Sequence, residues 1–450
     1  MQKIISIKKG LNIPLEGEAE KISVSALLAE SYALNPSDFY GLTPKLLVKE
    51  GDKVLAGTPL FYDKEQPKIL FTAPVSGEVI EIKRGEKRKL LSVVILPDKE
   101  NRHVEFRKGN PVQFTTDEII NQLLESGIWP VIRQRPYSVI ADPGSPPKAI
   151  FISAFDTNPL APDYDFIVHG HGEEFQVGID ALAKIVSGKV HLNIPHGSTP
   201  SKVFTKTTGA QINFFSGPHP AGNVGVQINH IDPINKGEKV WYLSAQHVLT
   251  IGRLFLEGRY NSSKLIALTG PSVKNRKYFK IFSGACIRNL PELDRSSFEV
   301  RFISGNALTG HTVTPGGWIG FYDDQLTLVP EGDRQEFMGW MMPGFDKFSF
   351  SKTFFSSLLP GKKYKLDTNT HGEDRPFVVT GQYEDVFPMD IYPQHLIKAI
   401  LIKDLELMEN LGIYEVDPED FALCEFACTS KMNLQKIVRE GLDYVRKECG

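Results

Sequence analysis

Several familiar signatures are missing from this sequence, and each absence removes a class of function. Neither GxGxxG nor GxxxxGK[ST] occurs, so the common dinucleotide- and nucleotide-phosphate loops are excluded. GxSxG and HExxH are missing too, and no catalytic triad stands out. Cysteine is scarce: Cys286, Cys424, Cys428 and Cys449 are too few and too clustered for a disulfide framework, which points to a reducing compartment. With a formal charge of -3 and no long basic block, nothing attracts nucleic acid. No apolar run reaches the ~18 to 20 residues of a membrane span. The patch Ile4–Ile7 is shorter than a signal-peptide core of roughly 7 to 15 residues. Any membrane attachment is therefore expected to come through a partner.

What is present is an ordinary globular composition, 41% hydrophobic and 23% charged over 450 residues, enough for three or four domains. The organising stretch is Ala149–Leu160, AIFISAFDTNPL. Its first half is apolar without alternation, as in a strand buried on both faces of a parallel sheet. Its second half, Asp156-Thr157-Asn158-Pro159, is turn chemistry that ends the strand. Open α/β sheets place ligands at such strand ends. Around this strand, helical and strand patterns alternate. Val177–Val186 and Ser244–Leu256 read as helices, Lys189–Ile194, Gln211–Phe215 and Leu265–Leu268 as strands, and Phe166–Val168 as a further segment between them. The alternation predicts a Rossmann-like, mainly parallel sheet over residues 110–290. A helix capped by Thr115-Thr116-Asp117 precedes it and ends at Gly127.

The flanks read differently. Residues 1–100 are short strands between glycine turns, and GDKVLAGTPL…APVSGEV resembles the biotinyl/lipoyl barrel-sandwich hybrid. The modified lysine of that carrier fold would fall near Gln66, between Lys64 and Lys68, so a structural sandwich without biotin or lipoate is expected. From about Phe298 short strands return (Glu299–Ile303, Trp318–Phe321, Gln325–Val329), which suits a β-grasp, SLBB-like domain over 291–385. Residues 386–450 read as a helical domain: Ile397, Ile400, Leu401, Leu405, Met408 and Leu411 form one stripe, and Leu434–Val445 a second. The whole is a multidomain α/β and α+β chain.

Four constellations are candidates for chemistry. Trp129, Arg133, Arg135, Pro136 and Tyr137 suit a planar or anionic ligand; the plainer reading is a proline-stiffened connection with solvated arginines. Cys424 and Cys428 stand four apart, half of an iron–sulfur motif, and read better as buried structural thiols. His169-Gly170-His171-Gly172-Glu173-Glu174 has metal-binding residue types, but no second motif completes it, and a surface loop is expected. Ser216–Gly225 offers backbone amides to an anion, yet Pro218 and Pro220 remove donors, so a rigid turn is preferred. His247 and His395 read as ordinary helix residues.

SIKKGLNIP, APVSGEVIEIKRGEKR, ESGIWPVIRQRP, IFISAFDTNPLAP, GPHPAGNVG, IGRLFLEG, GWMMPG and LCEFACTSK, in order along the chain, resemble the NqrA family of the Na⁺-translocating NADH:quinone oxidoreductases. The resemblance implies a peripheral subunit on the cytoplasmic face of the bacterial inner membrane, in a six-subunit complex that exports sodium. It implies five partner subunits, chiefly the membrane subunit that carries flavin. It also implies kinship with the flavin- and NADH-binding subunit of respiratory complex I. The complex's NADH, flavins and iron–sulfur cluster are then expected on other chains, with no cofactor, metal or catalytic centre here. Quinone binding, associated with the family, would fall nearest Trp129–Ser138 and Ser31–Phe39. Two other functions stay open: an NADH-oxidising flavoprotein with a degenerate site, and a module that only binds quinone.

Overall fold

The computed structural model describes residues 4–25, 28–197, 199–293, 299–332, 338–339 and 341–449. Phe298, where the strand pattern was expected to change, and Trp340 of GWMMPG lie outside the described residues, as do residues 1–3. At the centre is the strand Ala149–Ser153, paired in parallel with Lys189–Pro195 on one side and Val240–Ser244 on the other. Gln211–Ser216 and then Ile4–Ser6 extend the sheet in parallel, and the antiparallel hairpin Arg133–Arg135/Val139–Ile140 closes its other edge. The unbroken apolar run is buried on both faces, as its pattern demands. Ile150 and Ile152 face a core shared with the helices Gly172–Ile185 and Ala245–Glu257, while Ala149 and Phe151 face the helix Val224–Ile231.

Local rules set the limits of these helices. Thr115 and Glu118 form a reciprocal capping box on Thr116–Glu125. Ser244 caps Ala245–Glu257, and Gly258, at φ 66°, ends it in the left-handed region. The two helices on one face touch through glycines. A Cβ at Gly252 would lie 1.7 Å from the Glu174 carbonyl oxygen, and one at Gly178 would lie 2.3 Å from that of Val248.

A second sheet of six strands runs in the order His311–Val313, Val300–Ser304, Gln325–Pro330, Ser263–Thr269, Lys277–Phe282, Glu20–Ser25. The N-terminal region forms two small sheets, one of four strands and one of three, over a core that includes Phe61, Phe71, Val79 and Ile95. The Lys64–Lys68 segment is the turn of its Pro59–Asp63/Leu70–Thr72 hairpin. One continuous apolar core joins this sandwich, one face of the large sheet and the six-stranded sheet. The C-terminal helices Pro393–Leu401, Leu405–Asn410, Ala422–Ala427 and Leu434–Cys449 cover the other end of the large sheet, packing on Ile7, Phe215, Ala221 and Val226.

Several sequence expectations change. Leu265–Leu268 belongs to the six-stranded sheet, where Ala267–Thr269 pair in parallel with Gln325–Thr327; a short apolar run does not encode which sheet receives it. Ile4–Ser6 and Glu20–Ser25, expected within the sandwich, each complete one of the other two sheets. Phe166–Val168 falls on a helical turn, Tyr164–Ile167, capped by the Asp163 carboxylate. The helix expected from Val177 begins at Gly172, so the second half of the His169–Glu174 stretch is its first turn. Trp318–Phe321 makes only an isolated bridge from Trp318 to Cys286. The single Ile397–Leu411 stripe is two helices, broken where Lys403 takes φ 56° and Asp404 caps the second.

Candidate functional site

Numbered as they occur, Ala149–Ser153, Lys189–Pro195, Gln211–Ser216 and Val240–Ser244 lie in the order third, second, first, fourth. The order reverses between the first and fourth, and their carboxyl ends splay there. A cleft of about 570 Å³ opens at this point, reaching from Ser153–Asn158 and Tyr242–His247 to Asp38, Phe321–Gln325 and Asp417–Glu419.

Two stretches prominent in the sequence meet at its rim. Asp156 accepts hydrogen bonds from the backbone N–H and side-chain amide of Asn158, the turn its residue type favours. Gly222 N–H then donates to Thr157 Oγ1, and His219 Nδ1 lies 3.1 Å from the same oxygen, so the DTNPL and GPHPAG loops are tied together. Burial pushes the His219 imidazole down to about 4, which keeps it neutral.

Arg133 is the arginine that lines the cleft. Its guanidinium lies 4.6 Å from the ring centres of both Tyr242 and Tyr322. His247 is buried beside it and held neutral: burial first, then Lys264 and Arg133, push it down to about 3. Against this cation stand Asp38, Asp156, Asp323, Asp324, Asp417 and Glu419. Burial raises the Asp38 carboxyl to about 6 and the Glu419 carboxyl to about 7, although Arg135 opposes the latter. A lining with this excess of carboxyls repels phosphates and favours neutral or proton-donating ligands.

The helix Val224–Ile231 points its N-terminus toward this region, where the fold would offer N–H groups to an anion. The chain fills that place itself. A Cβ on Gly225 would lie 2.5 Å from both Asp420 carboxylate oxygens and 2.4 Å from Arg135 Nη1. Arg135 Nη1 donates to Asp420 Oδ2 at 2.7 Å and Nη2 to Glu419 Oε1 at 2.6 Å. Asn223 Nδ2 donates to the Glu419 carbonyl. The N-terminal end of this helix is thus occupied by Arg135 and its carboxylate partners.

The five residues singled out in sequence therefore separate. Arg133 lines the cleft. Trp129 is fully buried, donating its indole N–H to the Ala141 carbonyl and meeting Trp241 edge-on. Pro136 and Tyr137 form the hairpin turn, with Tyr137 against Tyr414. The expectation of solvated arginines is overturned: Arg135 is 0% exposed, because carboxylates almost 300 residues later in the chain fold onto it. From Ser31–Phe39 the cleft receives Ser37 and Asp38, while Phe39 packs beneath Phe321 and Tyr322. Cys424 and Cys428 are buried; the Tyr383 hydroxyl donates to Cys428 Sγ at 2.8 Å, and burial drives the Cys424 thiol well up. His171, just before the helix, pairs with Glu174 in its first turn. Among the described residues no group of three or more His, Cys, Asp or Glu side chains is placed to hold a metal ion. His395 is an exposed helix residue, as expected, but His247 is not ordinary. Sequence reading also passed over Tyr242, Tyr322, Asp324 and Glu419; they come from three distant segments and carry no shared signal.

Asp38 gives this electrostatic picture a direct check. Its folded carboxyl titrates near 6, against an ordinary value of 3.8, so between these pH values the folded chain binds more protons than the unfolded one. Stability from this group is thus full below about 3.8 and is lost as pH rises through about 6. The histidines 191, 219 and 247 act in the opposite sense below their ordinary 6.5, since folding lowers them. The expected result is differential: Asp38→Asn gains stability relative to the parent as pH rises from 4 to 7, read from paired thermal melts. A pH-independent difference contradicts the assignment.

Comparison with known proteins adds the family. Residues 5–98 match the NqrA N-terminal barrel-sandwich hybrid domain, 114–260 the NqrA second alpha/beta domain, and 265–314 the NQRA C-terminal domain. The last match starts within the strand Ser263–Thr269, an interior strand of the six-stranded sheet. Full-length relatives are similar throughout. The NqrA subunit of the Na(+)-translocating NADH-quinone reductase of Rhodopirellula baltica is 36% identical, with 99% of each chain covered. The same-named proteins of Vibrio parahaemolyticus (37%) and Yersinia pestis (36%) align over 99% of this chain and 100% of theirs.

Proposed function

We infer the function from one premise: this chain belongs to the NqrA family and is a subunit of the Na(+)-translocating NADH-quinone reductase, an oxidoreductase complex. Within the complex we assign it a peripheral place on the cytoplasmic side, docked on the flavin-carrying membrane subunit and holding no redox centre itself. Among the described residues no helix is long and apolar enough to cross a membrane. The large sheet is read as Rossmann-like, because its order reverses at the cleft, and the chain from about 386 as a helical domain.

One observation carries the cofactor-free reading. The helix end that would cradle a phosphate is closed by the Arg135–Asp420–Glu419 cluster. The buried thiols of Cys424 and Cys428 likewise suit packing rather than redox work. Flavin and NADH chemistry is thereby assigned to other chains, and this chain shapes the quinone's surroundings. In that role Arg133 donates hydrogen bonds to a quinone carbonyl, Tyr242 and Tyr322 hold the guanidinium in place, and Asp38 and Glu419 keep protons near neutral pH.

Calorimetric titration of the full chain with FMN and with NADH tests the cofactor-free part. The expected result is no saturable binding at micromolar concentration for either. A flavin spectrum at one per chain in freshly purified protein refutes it and restores the flavoprotein alternative.

A further inference from the structure

The GWMMPG stretch and the loop after it are left unused by the cleft. Residues 338–365 carry five lysines (Lys347, Lys352, Lys362, Lys363, Lys365) and one acid, Asp346, in a chain whose net charge is -3. Apart from one 3-10 turn, Phe355–Leu358, the described part of this loop is irregular. It nevertheless shows Met341, Met342, Phe345, Phe355, Leu358 and Leu359 to solvent, at 61%, 60%, 55%, 54%, 73% and 49% exposure. Exposed large apolar side chains grouped this way mark an interaction surface.

The base of the loop is fixed. Tyr364 is buried; its N–H donates to the Pro14 carbonyl, its carbonyl accepts from Glu16 N–H, and its hydroxyl donates to the Ser356 carbonyl. Phe348 packs between Tyr364 and Phe426. The exposed rings of Phe345 and Phe355 lie 6.0 Å apart. Lys362 Nζ donates to the Phe345 carbonyl at 2.7 Å and pairs with Asp346 at 2.6 Å. Lys347 Nζ donates to the Gly339 carbonyl and sits 5.9 Å from the Phe354 ring centre. Lys363 pairs with Glu18 at 3.0 Å, while Lys352 and Lys365 are exposed. The result is a loop fixed at its base, with exposed apolar side chains and more lysines than acids in its sequence.

We propose that this loop is a direct contact with the lipid bilayer, its Met, Phe and Leu side chains entering the interface and its exposed Lys352 and Lys365 pairing with anionic headgroups. Irregular backbone with flexible apolar side chains offers a partner protein neither a strand edge nor a helix face to match, whereas lipid needs no such match. The excess of lysine in this segment of a negative chain complements an anionic leaflet. Attachment through the membrane subunits is then supplemented by the chain's own hold on the bilayer, and this inference is independent of what the cleft binds.

Flotation of the purified full chain with phosphatidylglycerol/phosphatidylcholine vesicles tests it, with pure phosphatidylcholine as the comparison. The parent chain is expected to float with anionic vesicles and much less with neutral ones. The triple variant Phe345→Ser/Phe355→Ser/Leu358→Ser, changed only at side chains more than half exposed, should melt at the parent temperature and partition at least about tenfold less. Failure of the parent to float, or equal flotation of the variant, overturns the proposal. A variant that floats normally but no longer assembles with the membrane subunits also overturns it, by placing a protein on the patch.

Discussion

Arg135→Ala is expected to cost about 3–5 kcal/mol of stability, the usual penalty for stranding one side of a buried ion cluster. Arg135 is 0% exposed and Asp420 2% exposed, so the Asp420 carboxylate has no water to turn to, while Glu419, at 30% side-chain exposure, reaches the cleft. Three acidic groups lie around the guanidinium: Asp420 at 2.7 Å, Glu419 at 2.6 Å and Asp417 at 4.0 Å. Burial already raises Asp420 and Glu419 in the parent. Without Arg135 both must take up protons or separate, so the deficit should shrink at acid pH and grow toward neutrality. The damage should centre on the contact between the hairpin Arg133–Arg135 and the segment Pro418–Phe421. Urea denaturation followed by tryptophan fluorescence measures the loss, since Trp129 and Trp241 pack directly behind the hairpin. Restoring charge balance with Arg135→Met/Asp420→Asn should recover part of it. A single variant as stable as the parent would mean the cluster is not a structural closure, and the cofactor-free reading would lose its support.

Arg133→Ala should have the opposite profile: little change in melting and a large change in function. Its guanidinium touches two tyrosine rings and faces the cleft, and none of the described carboxylates lies within ion-pair distance of it, so no buried charge is stranded by its removal. Loss of a charged hydrogen-bond donor to a bound carbonyl costs about 1.5–3 kcal/mol, or roughly ten- to a hundredfold in affinity. In the assembled complex we therefore expect the KM for quinone to rise by about that factor, with Arg133→Lys recovering less than its charge suggests, because an ammonium does not stack as the planar group does. An unchanged KM would remove quinone from this cleft. The pair of variants separates two residues that the sequence presents as equivalent.

That separation shows where sequence reading stops. The run AIFIS and the DTNP turn specify a doubly buried strand and its termination, because both depend on side chains within a few residues. Capping at Thr115 and Ser244 is legible for the same reason. The family, too, is carried by short ordered motifs spread along the chain, and relatives match it nearly end to end. By contrast, the solvation of Arg135 depends on Asp420, and the neutrality of His247 on burial among Phe321, Tyr322 and Lys264. Nor does anything near Leu265–Leu268 tell that its parallel neighbour is Gln325–Pro330.

The sequence by itself determined the doubly buried central strand and its terminating turn, the capped helix after Thr115, the missing phosphate loops and the kinship. Only the tertiary structure decided which sheet each strand joined, which arginine faced the cleft and what closed the helix end. The physical reason is range: backbone propensity, capping and patterning act over a few neighbours, whereas burial and charge pairing are set by residues that meet only once the chain has folded.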